Sequence, residues 1–195
     1  NKTTCEVLFN RREKMDINKY LKIRDTKGKR EGPNDNVFGF YNVEDNGSEG
    51  IILELDNECA EVYIDKELGY GEYECDVELP ILLPKEVIFG FFLYKDDNNE
   101  CDIEFSRWNK IFNKNCQVII QGNKPIKFWN LKKKNHLKIL WAKSYIKFSI
   151  NKQNFEFETD KNNDFGILHI NLWKICPTSK CNVKIKNLKF TEWIE

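Results

Sequence analysis

Alternation of polar and apolar side chains with a period of two constrains this chain more than any other feature. From Gly71 to Leu79 the polar residues Glu72, Glu74, Asp76 and Glu78 interleave with the apolar Tyr73, Cys75, Val77 and Leu79. In an extended chain successive side chains point to opposite faces, so this segment is a half-buried strand. Pro80 and Pro84 end it, because proline cannot donate to a central ladder. Ile88–Tyr94 is apolar and aromatic on both faces, as expected of a strand between two layers. Further strands are expected at Gly50–Leu55, Ala60–Ile64, Cys101–Phe105, Gln117–Gln121, Leu137–Trp141, Tyr145–Ile150, Asn154–Thr159, Ile167–Trp173 and Asn182–Thr191. Turn-forming clusters separate them: Asp96–Asn99, Asn113–Asn115, Gln121–Asn123 and Lys161–Asp164. Helical spacing shows only weakly, over Asn10–Lys22. Many short strands at regular intervals imply an all-β, two-sheet antiparallel sandwich or jelly roll. The 195 residues fit one domain, with its core over about 32–195 and an N-terminal segment 1–31.

Charge excludes some functions. Lys plus Arg and Asp plus Glu each number 31, so the net charge is zero, without the basic excess of a nucleic-acid binder. No apolar run approaches the ~18–20 residues of a membrane span, and the run Leu131–Lys134 reads as a solvated loop. The seven cysteines include no Cys-x-x-Cys pair and the two histidines are far apart, which argues against structural zinc. Cys75 and Cys101 fall at inward strand positions. Cys176 and Cys181 bracket Pro-Thr-Ser-Lys and stand either as a small-loop disulfide or as two free thiols.

The chemistry concentrates in Glu100-Cys101-Asp102-Ile103-Glu104-Phe105. Three acids share one face of a strand while Cys101, Ile103 and Phe105 enter the core. Three like charges in one row repel, with nothing basic between them. One reading is glycoside hydrolysis, in which one carboxylate attacks and a second, protonated, acts as acid. A middle carboxylate then raises the acid's proton affinity and orients its neighbour. Cα atoms four residues apart on a strand are about 13 Å apart, so the outer pair must lean together, which a concave sheet favours. A plain solvated face is the second reading. The third is a calcium site, from the oxygen-rich run Asp96, Asp97, Asn98, Asn99, Glu100 and Asp102.

The same segment resembles the E-x-D-x-E signature of glycoside hydrolase family 16, the lichenases, laminarinases and agarases. Gly69-Tyr70-Gly71-Glu72-Tyr73-Glu74 is similar to the family's Y-G-x-Y-E strand, and Gly32-Pro33-Asn34 to its entry segment. Ser106-Arg107-Trp108 and Asn171-Leu172-Trp173 resemble further family segments. The resemblance implies a jelly roll with a glycan-binding cleft on its concave face, and retaining endo-hydrolysis of a β-linked polysaccharide. It implies Glu100 as nucleophile, Glu104 as general acid/base and Asp102 as assisting carboxylate, with no cofactor required. A structural calcium ion remains an alternative occupant of the acidic run. Cys101 departs from the family's usual aliphatic residue. His136 lies near a family H-x-Y segment, but Leu137-Lys138 follow, so it is read as a loop-edge histidine.

Parity extends the cleft. If the strand runs on, Ser106 and Trp108 share the acids' face, and Trp108 either stacks on a sugar or packs in the wall. Gln117 and Gln121 share a face and present amides suited to sugar hydroxyls. Trp129, Trp141, Trp173 and Trp193 read as core, and Tyr41 and Tyr70 fit either role. The expected partner is a polysaccharide, with neither nucleic acid nor membrane, and the oligomeric state is open. Such substrates place the protein outside the cell, at its surface or in the periplasm. A non-catalytic glycan-binding module on the same fold is the alternative function.

Overall fold

A computed structural model describes residues 10–159, 164–178 and 180–194, and these form two packed antiparallel sheets. In chain order the strands are β1 (Asn10–Met15), β2 (Leu21–Ile23), β3 (Val43–Asp45), β4 (Ile51–Leu55), β5 (Ala60–Ile64), β6 (Gly71–Glu78), β7 (Val87–Asp96) and β8 (Asn99–Phe105). They continue as β9 (Cys116–Ile120), β10 (Ile126–Phe128), β11 (Lys134–Trp141), β12 (Tyr145–Ile150), β13 (Gln153–Glu158), β14 (Ile167–Lys174) and β15 (Cys181–Ile194). One sheet has the order β13-β12-β11-β6-β15-β4-β3, with β1 also on β15; the other is β10-β9-β8-β7-β14-β5-β2. The chain is an all-β jelly-roll sandwich, as its alternation implies.

The inward sets of the two sheets build one core. Tyr73, Cys75 and Val77 of β6 meet Phe89, Phe91 and Leu93 of β7 and Cys101, Ile103 and Phe105 of β8, all essentially inaccessible to water. Each fully buried phenylalanine contributes about 2–3 kcal/mol of transfer free energy. Cys59, Cys75, Cys101 and Cys116 are fully buried and unpaired, small hydrophobes in practice. Cys176 and Cys181 are also free thiols, so no disulfide closes their loop. Cys5 lies outside the described residues.

Three features differ from the sequence expectation. The Asn10–Lys22 stretch contains strand β1, a single 3-10 turn and the start of β2 rather than an α-helix. Pairing dictates this. Strand β4 covers one edge of β15 only from Cys181 to Ile185, and β1 covers the same edge beyond it, from Phe190 to Ile194. Without β1 that edge would expose unpaired amides and carbonyls. The described residues before Gly32 therefore belong to the sandwich, and Ile17 is fully buried. The second apolar face of β7 also differs: Gly90, Phe92 and Tyr94 meet no further layer but line an open cleft. His136, finally, sits within β11 on the outer face of the larger sheet, not at a loop edge. Its Nδ1 lies 2.8 Å from Asp76 Oδ1 and its Nε2 3.4 Å from Glu74 Oε2.

Candidate active site

The cleft, about 750 Å³, occupies the outer face of the seven-stranded sheet. Its floor follows from register. Glu104 of β8 pairs with Gly90 of β7, Gly90 with Asn171 of β14, and Asn171 with Glu61 of β5. On the other side of β8, Glu104 pairs with Gln117 of β9, and Gln117 with Lys127 of β10. A parallel row runs Ile119, Asp102, Phe92, His169, Tyr63 and Lys22. Glu100 pairs with Tyr94 one step further along. The carboxylate strand thus borders the cleft. Beyond it the sheet runs on as a short wing, β9 and β10; the longer wing, β7, β14 and β5, carries the cleft, which is walled by Arg24, Glu31 and Pro33.

The three acids line this floor together. Burial and the neighbouring Glu104 charge push the Glu100 carboxyl up to about 7. A hydrogen bond from Asp102 and the nearby His169 oppose that rise, and Asp97 adds to it. Burial, followed by the charges on Glu100 and Glu104, holds Asp102 well above the carboxylate range. Its raised proton affinity suits it to donate in its hydrogen bond to Glu100. Burial also raises Glu104, against a hydrogen bond from Gln117 Nε2 to Glu104 Oε2 and the positive charge of Lys127. With Gln117 engaging Oε2, Oε1 is the oxygen left for a proton. The trio titrates as a coupled set. Asp102 Oδ1 and Asn171 Oδ1 are buried without a hydrogen-bond partner, and both residues belong to the cleft lining.

The candidate sugar contacts separate. Gln117 is buried against Glu104, to which it donates, and does not itself line the cleft. Gln121 does not: β9 ends at Ile120, and Gln121 opens an exposed turn with Gly122 at φ +85°, outside the cleft. Trp108 is not on the carboxylate strand either. That strand ends at Phe105, and Trp108 and Asn109 adopt φ of 46° and 60° in a turn, where the Trp108 amide donates to Ser106 Oγ at 2.9 Å. Trp108 still borders the shorter wing, with Lys127 Nζ 4.3 Å from its ring centre. Ser106 is buried beneath this turn.

The remaining aromatics divide as well. Trp141 is core, with Tyr70 packed edge-on against it, whereas Trp129 is exposed and Trp173 lines the cleft. Tyr41 is almost fully exposed. The acidic run does not converge as a calcium site. Asp96 Oδ1 accepts from the Asn98 amide and Asn99 Nδ2 within its own turn, Asp97 Oδ1 accepts from Tyr94 OH, and Glu100 and Asp102 face the cleft. Among the described residues no three His, Cys, Asp or Glu side chains converge on a metal-sized point.

Residues that the sequence reading passed over complete the longer wing. Glu61, nearly inaccessible, accepts from Arg24 Nη1 through Oε2 at 3.0 Å and bonds His169 Nδ1 through Oε1 at 3.0 Å. The His169 ring stacks between Phe92 and Tyr63.

Comparison with solved structures gives 88% of the chain aligned with 92% of a Bacillus licheniformis β-glucanase, at TM-score 0.70 and 18% identity. The fold is that of the glycoside hydrolase family 16 glucanases. A Bacteroides ovatus mixed-linkage-glucan family 16 protein, solved with a G4G4G3G product, aligns over 93% of this chain and 99% of its own, at TM-score 0.64 and 14% identity. A pseudo β-1,3-glucanase and immunostimulatory antigen of Mycobacterium tuberculosis aligns over 90% and 91%, at TM-score 0.68 and 12% identity. No protein-family profile and no curated protein sequence matches the chain.

Proposed function

We propose that this protein is a retaining endo-glycosidase that cleaves a β-linked, β-glucan-like polysaccharide by double displacement. The observation that carries the proposal is the row of three carboxyls on one strand of the floor of an open cleft. In the first step ionised Glu100 attacks the anomeric carbon while Glu104 gives its proton to the departing glycosidic oxygen. The carbon–oxygen bond to the leaving sugar breaks as the bond to Glu100 forms. Glu104, now a carboxylate, then takes a proton from water. The resulting hydroxide displaces Glu100 from the anomeric carbon and restores both residues.

Each neighbour has a place in this scheme. The Asp102 proton stabilises Glu100 as a carboxylate and as a leaving group in the second step. Gln117 holds Glu104 so that Oε1 faces the bond to be cut. The chemistry needs no cofactor, and a polysaccharide substrate places the protein outside the cell or at its surface.

The pseudo-glucanase on this fold favours a second reading, a glycan-binding module without turnover. Both working acids are present here, which supports the enzyme. The deciding experiment is reducing-end release from mixed-linkage and β-1,3-glucans, xyloglucan, agarose and carrageenan, with Glu100→Gln alongside. Activity on one glycan that is lost in the variant, with the product first appearing in the β configuration by proton NMR, supports the mechanism. Undiminished activity in Glu100→Gln refutes the assignment. Folded wild type that binds a glycan of the panel and cleaves none favours the module.

A further inference from the structure

The Phe92, His169 and Tyr63 rings occupy adjacent strands of one row. Their centroids are 5.2 and 5.6 Å apart and their planes are tilted by only 19° and 23°. That spacing is close to the ~4.8 Å between neighbouring strands. The rings therefore stand on the sheet like books on a shelf, each turning an edge, not a face, to the cleft. They offer a sugar no stacking plane, and what matters is the chemistry of the edge. For Phe92 that edge is hydrocarbon; for His169 it carries nitrogen.

The state of that nitrogen is set from below. Glu61 is inaccessible to water; Arg24 donates to its Oε2, and its Oε1 lies 3.0 Å from His169 Nδ1, which fixes the ring and makes Nδ1 the donor. In the imidazole form that tautomer leaves a lone pair on Nε2. Nε2 has no partner among the described residues, and the His169 side chain keeps 15% of its surface open at the cleft. An open acceptor of this kind calls for a donor from the ligand.

We propose that His169 is a specificity-determining residue of the longer wing, whose Nε2 accepts a hydrogen bond from a hydroxyl of a neutral glycan and disfavours sulfated or carboxylated sugars. Sulfate and carboxylate groups bring only acceptors at neutral pH, and meet a lone pair on Nε2. Glu61 and Arg24 are positioning residues acting through His169. The inference rests on the glycan-cleft reading above and names what the cleft selects.

Calorimetry tests it in a background that cannot turn over, Glu100→Gln, titrated with a mixed-linkage β-glucan tetrasaccharide and with a κ-carrageenan tetrasaccharide. Adding His169→Phe keeps a ring in the stack and removes the nitrogen. The neutral tetrasaccharide should then bind about tenfold more weakly, as loss of one buried hydrogen bond predicts. His169→Gln, which restores an acceptor, should recover part of that loss. In nitrogen-15 spectra of the wild type, His169 should show a protonated Nδ1 and a bare Nε2 whose resonance moves when the tetrasaccharide is added. Equal affinity with and without His169→Phe, a proton on Nε2, or preference for the sulfated oligosaccharide overturns the role of His169 and leaves the glycan reading intact. Binding of neither oligosaccharide, together with no hydrolysis by the wild type, overturns the glycan reading and this inference with it.

Discussion

Replacing Glu100 by glutamine should stabilise the protein, and by more as the pH rises. In the folded chain burial and the Glu104 charge push Glu100 from 4.5 to about 7, so the folded state keeps a proton that the unfolded chain releases earlier. The sign follows from proton linkage. The stability this proton confers is fully present below about pH 4.5 and is lost as the pH climbs through about 7. A rise of that size corresponds to at most about 3 kcal/mol. Glu100 is partly open to the cleft, and solvent screening reduces this to roughly 1–2 kcal/mol. Glutamine carries no charge to bury, and its side-chain oxygen can still accept from Asp102. Wild type and Glu100→Gln should unfold in urea with similar stability at pH 4.5. By pH 8 the variant should lead by about 1–2 kcal/mol, or roughly 3–6 °C in melting temperature for a domain of this size. A difference that stays flat from pH 4.5 to 8, or favours the wild type at high pH, would refute the strained carboxyl row. The same titration should appear in activity, since Glu100 must be ionised to attack: kcat/KM should rise with pH toward about 7.

On the proposed mechanism the alkaline limb reports Glu104, which burial raises and Gln117 and Lys127 lower; Asp102 and Glu100 are its acidic neighbours on β8. Lys127→Met should move that limb up by ~0.3–1 pH unit and Lys127→Arg should not, read from kcat/KM against pH; an unmoved limb in Lys127→Met removes Lys127 from the site. Gly90→Ala puts a Cβ 2.7 Å from Asn171 Oδ1 and 3.3 Å from the Phe92 ring. Asn171 must yield, so glycan turnover should fall about ten- to a hundredfold with little change in melting temperature, and unchanged kinetics would show that Asn171 does not shape the floor. A thiol reagent on unfolded, unreduced protein should count at least the six free cysteines of the described residues. In the native protein Cys176, the least buried of them, should react first, and a protected Cys176–Cys181 pair would contradict the structure.

How much of this was legible in the sequence follows from what each inference needed. The carboxylate row needed only the parity of residues 100–105, which is local, and both sheets follow from the same alternation. Strands β2, β3 and β10, three residues each, are too short to show a period, so Lys127 gave no signal. Two errors had warnings in plain view. Gln121 was counted as strand although Gln121-Gly122-Asn123 is a turn cluster, and the turn prevailed because Gly122 supplies the positive φ. Trp173 was read as core, yet parity within Ile167–Trp173 puts it on the face of His169 and Asn171, two polar residues that seldom point inward together. Trp108 failed for the opposite reason, since parity was carried past the end of its strand.

The Arg24–Glu61–His169 chain lies beyond any local reading. Its members are 37 and 108 residues apart, and they meet only because β14 inserts between β5 and β7. No periodicity encodes that order; it is a property of the whole sandwich. This divides the site in physical terms. The groups that would break the bond sit on one strand and are readable from seven residues. The groups that would choose the sugar arrive from β5, β7 and β14 through non-local pairing. A carboxylate strand of this kind can thus be recognised from local sequence while the ligand it serves cannot, and changing His169 or Glu61 should alter which glycan is held while leaving the acids that would cut it in place.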